Sequence, residues 1–303
     1  EYFNRFPATF IPKTRIETND QTYEISLVNA SSFGSPELGV HFDSGQASTS
    51  LALSPDDLFL YSLSEDDHSI KWFSTTQSID PLSWHGLEIW LDADYPSSVG
   101  EFSNEVDYWN DRSGNGYNFT ESSGNPSVVS GPLGRGVISF DGNDQLWSNK
   151  SYVGRNYSVF AVSRQTGGPN QRLISNLQDN WLLGYWNGQS DSWWLHDNGN
   201  QGENLSDTYW HLHVLTSSDS DQVNFWSDLS QKSTNSSAGH NAINYPGQIS
   251  FGAWRNLQEA SAGEIAEFLL FDKILTTNER QEVETYLVQK WNLQDLLPFD
   301  HPG

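Results

Sequence analysis

The chain has 303 residues, 39 acidic against 15 basic, giving a formal net charge of −24; it lacks Cys and Met but carries 13 Trp, 12 Tyr and 16 Phe. A surface this negative repels phosphate backbones and anionic headgroups, which excludes nucleic acid and membrane surfaces as partners. Without Cys there are no disulfides, no thiol catalysis and no cysteine metal sites. No stretch approaches the roughly 18 apolar residues of a membrane span, and from Glu1 onward no signal peptide is expected. Only 18% of residues are charged, so the acidity comes from few bases rather than many acids. The expectation is an outward-facing protein with an extracellular, cell-surface or virion-surface location.

In chain order, residues 1–36 are polar and weakly patterned, as in an arm, with one strand expected at Gln21–Val28. Strands are then expected at Ser50–Leu53, Leu58–Leu63 and Ser69–Ser74, with a turn at Glu65–His68. The phrase from Ser50-Leu-Ala-Leu-Ser-Pro-Asp-Asp57 to Ser78-Ile-Asp-Pro-Leu-Ser-Trp84 resembles one unit of a β-propeller repeat. It is of the kind seen in marine bacterial and phage surface proteins, with Asp57 where such repeats carry Gly. A single blade cannot bury its own face. Residues 1–84 are therefore expected to be a small β-rich attachment segment that docks on the neighbouring domain or on other protein chains.

Beyond residue 84, turn clusters of Gly, Asn, Ser and Asp separate short β-branched or aromatic runs, the spacing of a sandwich or barrel. Strands are expected at Gly136–Phe140, Tyr157–Arg164, Trp210–Thr216, Gln222–Ser227 and Gly263–Phe271. In Trp210–Thr216 the period of two puts Trp210, Leu212 and Val214 on one face, and His211, His213 and Leu215 on the other. Thr276-Thr-Asn-Glu279 is a capping box. Val283, Tyr286, Leu287 and Trp291 follow at helical spacing, which predicts a C-terminal helix lying on a β body.

Five phrases occur in a distinctive order: Gly86–Asp94 (Gly-Leu-Glu-Ile-Trp-Leu-Asp-Ala-Asp), Val106–Gly116 (ending Asp-Arg-Ser-Gly-Asn-Gly), Gly136–Asp144 (ending Phe-Asp-Gly-Asn-Asp), Tyr157–Val162, and Gly263–Leu275 with the capped helix. This order resembles the laminin-G-like branch of the concanavalin A-like lectin/glucanase superfamily, over about two thirds of the chain. The resemblance implies an all-β fold, a jelly-roll sandwich of two antiparallel sheets with one C-terminal helix, over residues 85–297, followed by a tail at 298–303. It also implies glycan binding or an adhesive or structural role, often with calcium.

Asp111, Asn115, Asp141 and Asp144 lie in the two Gly/Asn turns of those phrases. Oxygen ligands on tight turns suit a structural Ca²⁺; the same side chains can equally cap the turns without a metal. Glu105 and Asp107 begin the acid pattern of the superfamily's glycosidases, but Trp109 and Asn110 stand where the third acid belongs. Glu264 and Glu267, three apart on a strand, are expected on opposite faces. His211 and His213 share a face with no third ligand in view. The chain is accordingly read as non-catalytic.

Residues 181–201 combine indoles with short polar groups, which matches a sugar's apolar C–H face and hydroxyl rim. Trp186, Asn187, Asp191, Trp193, Trp194, His196 and Asn198 are the candidate glycan-binding residues. Most Trp residues are expected in the core, with one of Trp193 and Trp194 pointing in and the other out. The leading expectation is a surface adhesion protein with a lectin-like, glycan-binding domain, part of a virion (tail fibre or decoration) or of a bacterial surface fibre. The alternative is a purely structural decoration or filament protein, and a weaker one is a glycoside hydrolase or polysaccharide lyase.

Overall fold

The computed structural model describes residues 80–296, except 104, 197, 203, 221 and 237–244, together with the backbone of strands in residues 9–74. The chain divides into two compact units, Glu1–Asp80 and Pro81–Gly303. In the first, β1 (Thr9–Phe10), β2 (Thr14–Glu17), β3 (Thr22–Asn29) and β4 (Leu38–Phe42) form an antiparallel four-stranded sheet around β3. The stretch read as an arm thus contains paired strands, because β3 alternates polar and apolar residues and ladders on both edges. The expected hairpin unit is a second sheet, β5 (Leu51–Leu53), β6 (Phe59–Ser64) and β7 (Ser69–Ser74).

The second unit is a β-sandwich. Its strands begin with β8 (Leu87–Asp92), β9 (Val99–Phe102), β10 (Glu105–Trp109), β11 (Phe119–Ser123), β12 (Ser127–Ser130) and β13 (Gly136–Asp141). Next come β14 (Gln145–Ser148), β15 (Tyr157–Gln165), β16 (Ile174–Asn176), β17 (Trp181–Trp186), β18 (Gln189–Leu195) and β19 (Asn198–Asn200). The last are β20 (His211–Ser217), β21 (Gln222–Ser227), β22 (Ser230–Ser236), β23 (Ile249–Phe251) and β24 (Ala262–Phe271), followed by the helix α1 (Thr277–Lys290). One sheet has nine strands, ordered β19-β18-β17-β16-β23-β14-β11-β10-β9. The other has eight, ordered β12-β13-β24-β15-β20-β21-β22, with β8 also on β24. All these pairings are antiparallel.

The central strands of the eight-stranded sheet, β15, β20 and β24, are buried on both faces, which explains the largely apolar run of β24. Ile265, Phe268 and Leu270 face the nine-stranded sheet and meet Trp109, Phe119, Trp181, Trp193 and Phe251 in one core. Ala266, Leu269 and Phe271 face α1 and meet Val283, Leu287, Val288 and Trp291 in a second. The expected capping box is present, with Thr276 Oγ1 accepting from Glu279 N and Glu279 accepting from Thr276 N. Trp84 also belongs to this unit: its indole packs on Phe271 and Tyr286 and donates to Glu282. The boundary therefore lies four residues before the one read from sequence. The residues 298–303 assigned to a tail lie outside the described residues.

A bulge in β24 changes one sequence-level expectation. The register with β15 shifts between Val162, opposite Glu267, and Ser163, opposite Ile265. Ala266 and Glu267 consequently both point to the helix side, and Glu264 and Glu267 share a face rather than opposing each other. Glu264 is held there by Arg164 at 2.8 Å. Glu267 lies fully buried beneath α1. Its Oε1 accepts from Trp90 Nε1 and Tyr286 OH (each 2.8 Å), and its Oε2 from Trp291 Nε1 (2.7 Å) and Lys290 Nζ (2.8 Å). Lys290 also reaches Asp92 at 2.7 Å. Burial and the Glu267 charge push the Asp92 carboxyl up to about 6. This carboxylate-centred network fastens the helix to the sheet.

Candidate functional site: the outer face of the β17–β18 hairpin

Strands β17 and β18 are joined by a two-residue turn, Asn187-Gly188, both with positive φ (53° and 77°). That left-handed pair is what a tight hairpin of this twist requires, and Asn-Gly supplies it at little cost. Alternation then sorts the aromatics. Trp181, Leu183, Trp193 and Leu195 enter the inter-sheet core, while Trp194 and Trp186 turn to the outer face, with their ring centroids 5.1 Å apart and their planes 59° from parallel. Gly199 of β19 lies opposite Trp194. A Cβ there would fall 2.2 Å from the indole, so only glycine lets this ring lie flat on the neighbouring backbone.

Polar groups border the two indoles. Gln189 lies directly opposite Trp186 and accepts from Gln201. Glu259, from the loop after β23, accepts from Trp186 Nε1 (3.3 Å) and from Arg172 Nε through the same oxygen, Oε2. Arg172 in turn stacks on Trp254 at 4.6 Å. Leu205, 81% exposed, bridges to Gln189 from the far side and extends the same face. Trp186, Trp194, Gln189, Gln201 and Glu259 are all half-buried, so together they form an open patch of two indoles with an amide and carboxylate rim.

The seven residues singled out from sequence are only partly brought together. Trp186, Asn187 and Trp194 lie on or beside the patch. Trp193 does not. Its side chain is fully buried in the inter-sheet core and its Nε1 donates to Ser233 Oγ at 2.9 Å, so it can touch no surface ligand. Asp191 also points inward, accepting from Asn204 Nδ2 at 3.0 Å. His196 follows Trp194 by two residues, at the end of the hairpin remote from its turn, where its carbonyl accepts from Asn180 Nδ2. The side chain of Asn198 is outside the described residues. Glu259 and Leu205 escaped sequence reasoning. Glu259 is 73 residues from the indole it bonds, and an isolated Leu in a polar loop carries no signal.

The four residues read as calcium ligands are engaged with neighbouring groups of the protein. A carboxylate offers about four lone-pair sites, and Asp111 fills four: Oδ1 accepts from Trp90 N and Ser113 N, Oδ2 from Ser113 Oγ and Tyr117 N. Asn115 presents its amide N–H, not its oxygen, to the carbonyls of Leu87 and Glu88. Asp144 is buried and accepts from Asn125 N and Asp141 N, and Asp141 accepts from Asn143 N. These are caps of two separate turns, the alternative reading of the same residues. Among the described residues no three His, Cys, Asp or Glu side chains converge on a point suited to a metal ion.

Inside the same end of the sandwich, His211 and His213 stack 5.7 Å apart, as their shared face requires. His211 is bracketed by Asp228 (2.7 Å) and Asp207 (2.9 Å). Burial alone would lower its pKa, but the two carboxylates outweigh that and push it up to about 9. His213 is fully buried between Phe225 and Tyr185, with Asp191 3.9 Å away and no hydrogen bond at either ring nitrogen. Burial, aided by the His211 charge, pulls it down to about 4.

The two shifts act in opposite directions on stability. The raised His211 contributes fully below the unfolded pKa of about 6.5 and loses its contribution as pH rises through 9. The lowered His213 costs nothing above about 6.5 and progressively destabilises as pH falls toward 4. Thermal unfolding from pH 4 to 9 is expected to show a maximum near pH 6.5, with His213→Phe flattening the limb between 6.5 and 5. An unchanged acid limb in that variant would show that His213 is not buried as a neutral ring.

No family model and no curated protein matches the chain. Among solved structures it is similar to domain 4 of AbnA, an extracellular GH43 arabinanase from Geobacillus stearothermophilus solved with arabinotriose. That match has 14% identity and a TM-score of 0.47, covering 64% of this chain and 95% of that one. It is also similar to the binding domain of Paraclostridial Mosquitocidal Protein 1 (14% identity, TM-score 0.47, 67% of this chain and 51% of that one). A third is the botulinum neurotoxin serotype D binding domain (15% identity, TM-score 0.48, 66% of this chain and 51% of that one). The chain spans about half the length of the two toxin domains it matches.

Proposed function

We propose that this protein is a non-catalytic, glycan-binding adhesion protein that holds its ligand on the outer face of the β17–β18 hairpin. The observation that carries the reading is the half-exposed Trp186–Trp194 pair, rimmed by Gln189, Gln201 and Glu259. A pyranose or furanose ring has an apolar C–H face that rests on an indole and hydroxyls that exchange hydrogen bonds with amides and a carboxylate. The patch supplies both, with the two indoles and Gln189 on strands and Gln201 and Glu259 on the adjoining loops. A non-catalytic role is supported by the acids. Glu105 and Asp107 stand exposed on β10 with no third acid on that strand, Glu264 is paired with Arg164, and Glu267 lies wholly buried among four donors. The setting we propose is extracellular, on a virion (tail fibre or decoration) or a bacterial surface fibre, with the first unit, Glu1–Asp80, attaching to other chains. Its support is the strong acidity and the compactness of the first unit.

The test is retention on a glycan array followed by titration of intrinsic fluorescence. Trp194→Ala is expected to weaken binding about tenfold or more, equivalent to ~1.4 kcal/mol, while the circular dichroism spectrum stays unchanged. A chain that binds no glycan yet assembles with other protein chains would establish the purely structural alternative; turnover of a polysaccharide would establish the enzymatic one.

A further inference from the structure

From the electrostatics of the patch we infer that its ligand is an uncharged glycan, and that carboxylated and sulfated polysaccharides are excluded. The inference rests on the glycan-binding reading and narrows it to a chemical class.

The segment that builds β16–β21, between Arg172 and Lys232, contains no Lys or Arg, while Asp179, Asp191, Asp197, Glu203, Asp207, Asp219, Asp221 and Asp228 all fall within it. The guanidinium joined to the patch, Arg172, is 4% exposed, committed to Glu259 and stacked on Trp254. Arg255 stacks on the same Trp254 ring at 4.3 Å and donates to Gln178 O. Recognition of a carboxylate or sulfate depends on a charge-assisted donor, in most sites a forked guanidinium, and among the described residues no Arg or Lys stacks on Trp186 or Trp194, while Lys232 is paired with Asp191 at 3.7 Å. What is presented is a carboxylate: Glu259 uses Oε2 for both its protein donors, which leaves Oε1 as an acceptor for a ligand hydroxyl. A carboxylate paired with a guanidinium accepts hydrogen bonds, which suits a ligand O–H and offers nothing to an anion. The net charge of −24 adds a long-range repulsion that falls off over a Debye length of about 8–10 Å in ordinary buffer. Desolvating an anionic sugar against this patch would gain no compensating ion pair.

The experiment is affinity electrophoresis of the full chain in gels of neutral polysaccharides (arabinan, galactan, β-glucan) and of acidic ones (alginate, polygalacturonate, carrageenan), at low and high salt. Retention is expected in at least one neutral gel, insensitive to salt and lost in Trp194→Ala, with no retention in any acidic gel at low salt. A second variant, Leu205→Lys, changes a residue that is 81% exposed and supports no core. It is expected to introduce salt-sensitive retention in acidic gels, and an acidic gel that still fails to retain it would overturn the claim that a missing cation is what excludes anionic glycans. Retention of the unmodified chain in an acidic gel, abolished by Trp194→Ala, would overturn this inference while leaving the glycan-binding reading intact. If no gel of either kind retains the chain, the glycan-binding reading itself fails, and the inference with it.

Discussion

Replacing Glu267 with Ala is expected to lower the unfolding free energy by about 3–5 kcal/mol, the usual cost of removing one partner from a buried charge pair. At about 2–4 °C per kcal/mol for a domain of this size, the melting temperature should fall by roughly 10 °C. The magnitude follows from what is left behind: two indole N–H groups and the Tyr286 hydroxyl would lose their acceptor, and the Lys290 ammonium one of its two carboxylates. Asp92 would remain as Lys290's sole carboxylate partner. Glu267→Gln should not rescue the loss. Its amide can accept from one side only and opposes a donor to the indole N–H on the other. Differential scanning calorimetry checks this, and hydrogen exchange in α1 should rise in step, because these bonds join the helix to β24 and β8. A variant melting within about 2 °C of the parent would mean that the apolar contacts of Val283, Leu287 and Val288 hold the helix without the carboxylate.

Two adjacent indoles should respond in opposite ways. Trp193→Ala removes a fully buried side chain and is expected to cost about 3–5 kcal/mol, the range for deleting a large aromatic from a core, and to strip Ser233 of its indole donor. Trp194→Ala removes a half-exposed ring from the outer face and should cost about 1 kcal/mol or less, as surface substitutions do, while abolishing the platform. Urea titration of both variants separates the roles, since Trp193→Ala shifts the midpoint and Trp194→Ala shifts ligand affinity. If Trp193→Ala left the midpoint unchanged, the register of β17 with β18 would be displaced by one residue, which would exchange the faces of every side chain in the hairpin.

Much of the architecture was legible because it depends on local pattern. Period-two alternation marked β20 and assigned Leu212 and Val214 to one core and Leu215 to the other. The Thr276–Glu279 capping box and the stripe from Val283 to Trp291 marked α1. The same alternation required that one of Trp193 and Trp194 be inside. It could not say which, since that depends on which face of the hairpin meets the second sheet.

The candidate sites were legible as residue types and illegible as constellations. Asp111 was correctly placed in a turn, but two of the four donors that saturate it, Trp90 N and Tyr117 N, come from outside its own phrase. Glu264 and Glu267 were assigned to opposite faces by counting, and a single extra residue at Ala266 reversed that. Trp186 and Trp194 were singled out together, whereas Glu259 and Leu205 reach the patch only through the loop after β23 and the loop before β20.

The acidity, the missing cysteines, the sandwich class and the capped helix were thus determined by the sequence alone, because each is a sum over residues or a pattern a few residues long. Only the tertiary structure decided which carboxylates are occupied and which indoles reach the surface. Burial and hydrogen bonding are set by what folds against a side chain from distant parts of the chain, and a bulge of one residue is enough to re-aim it.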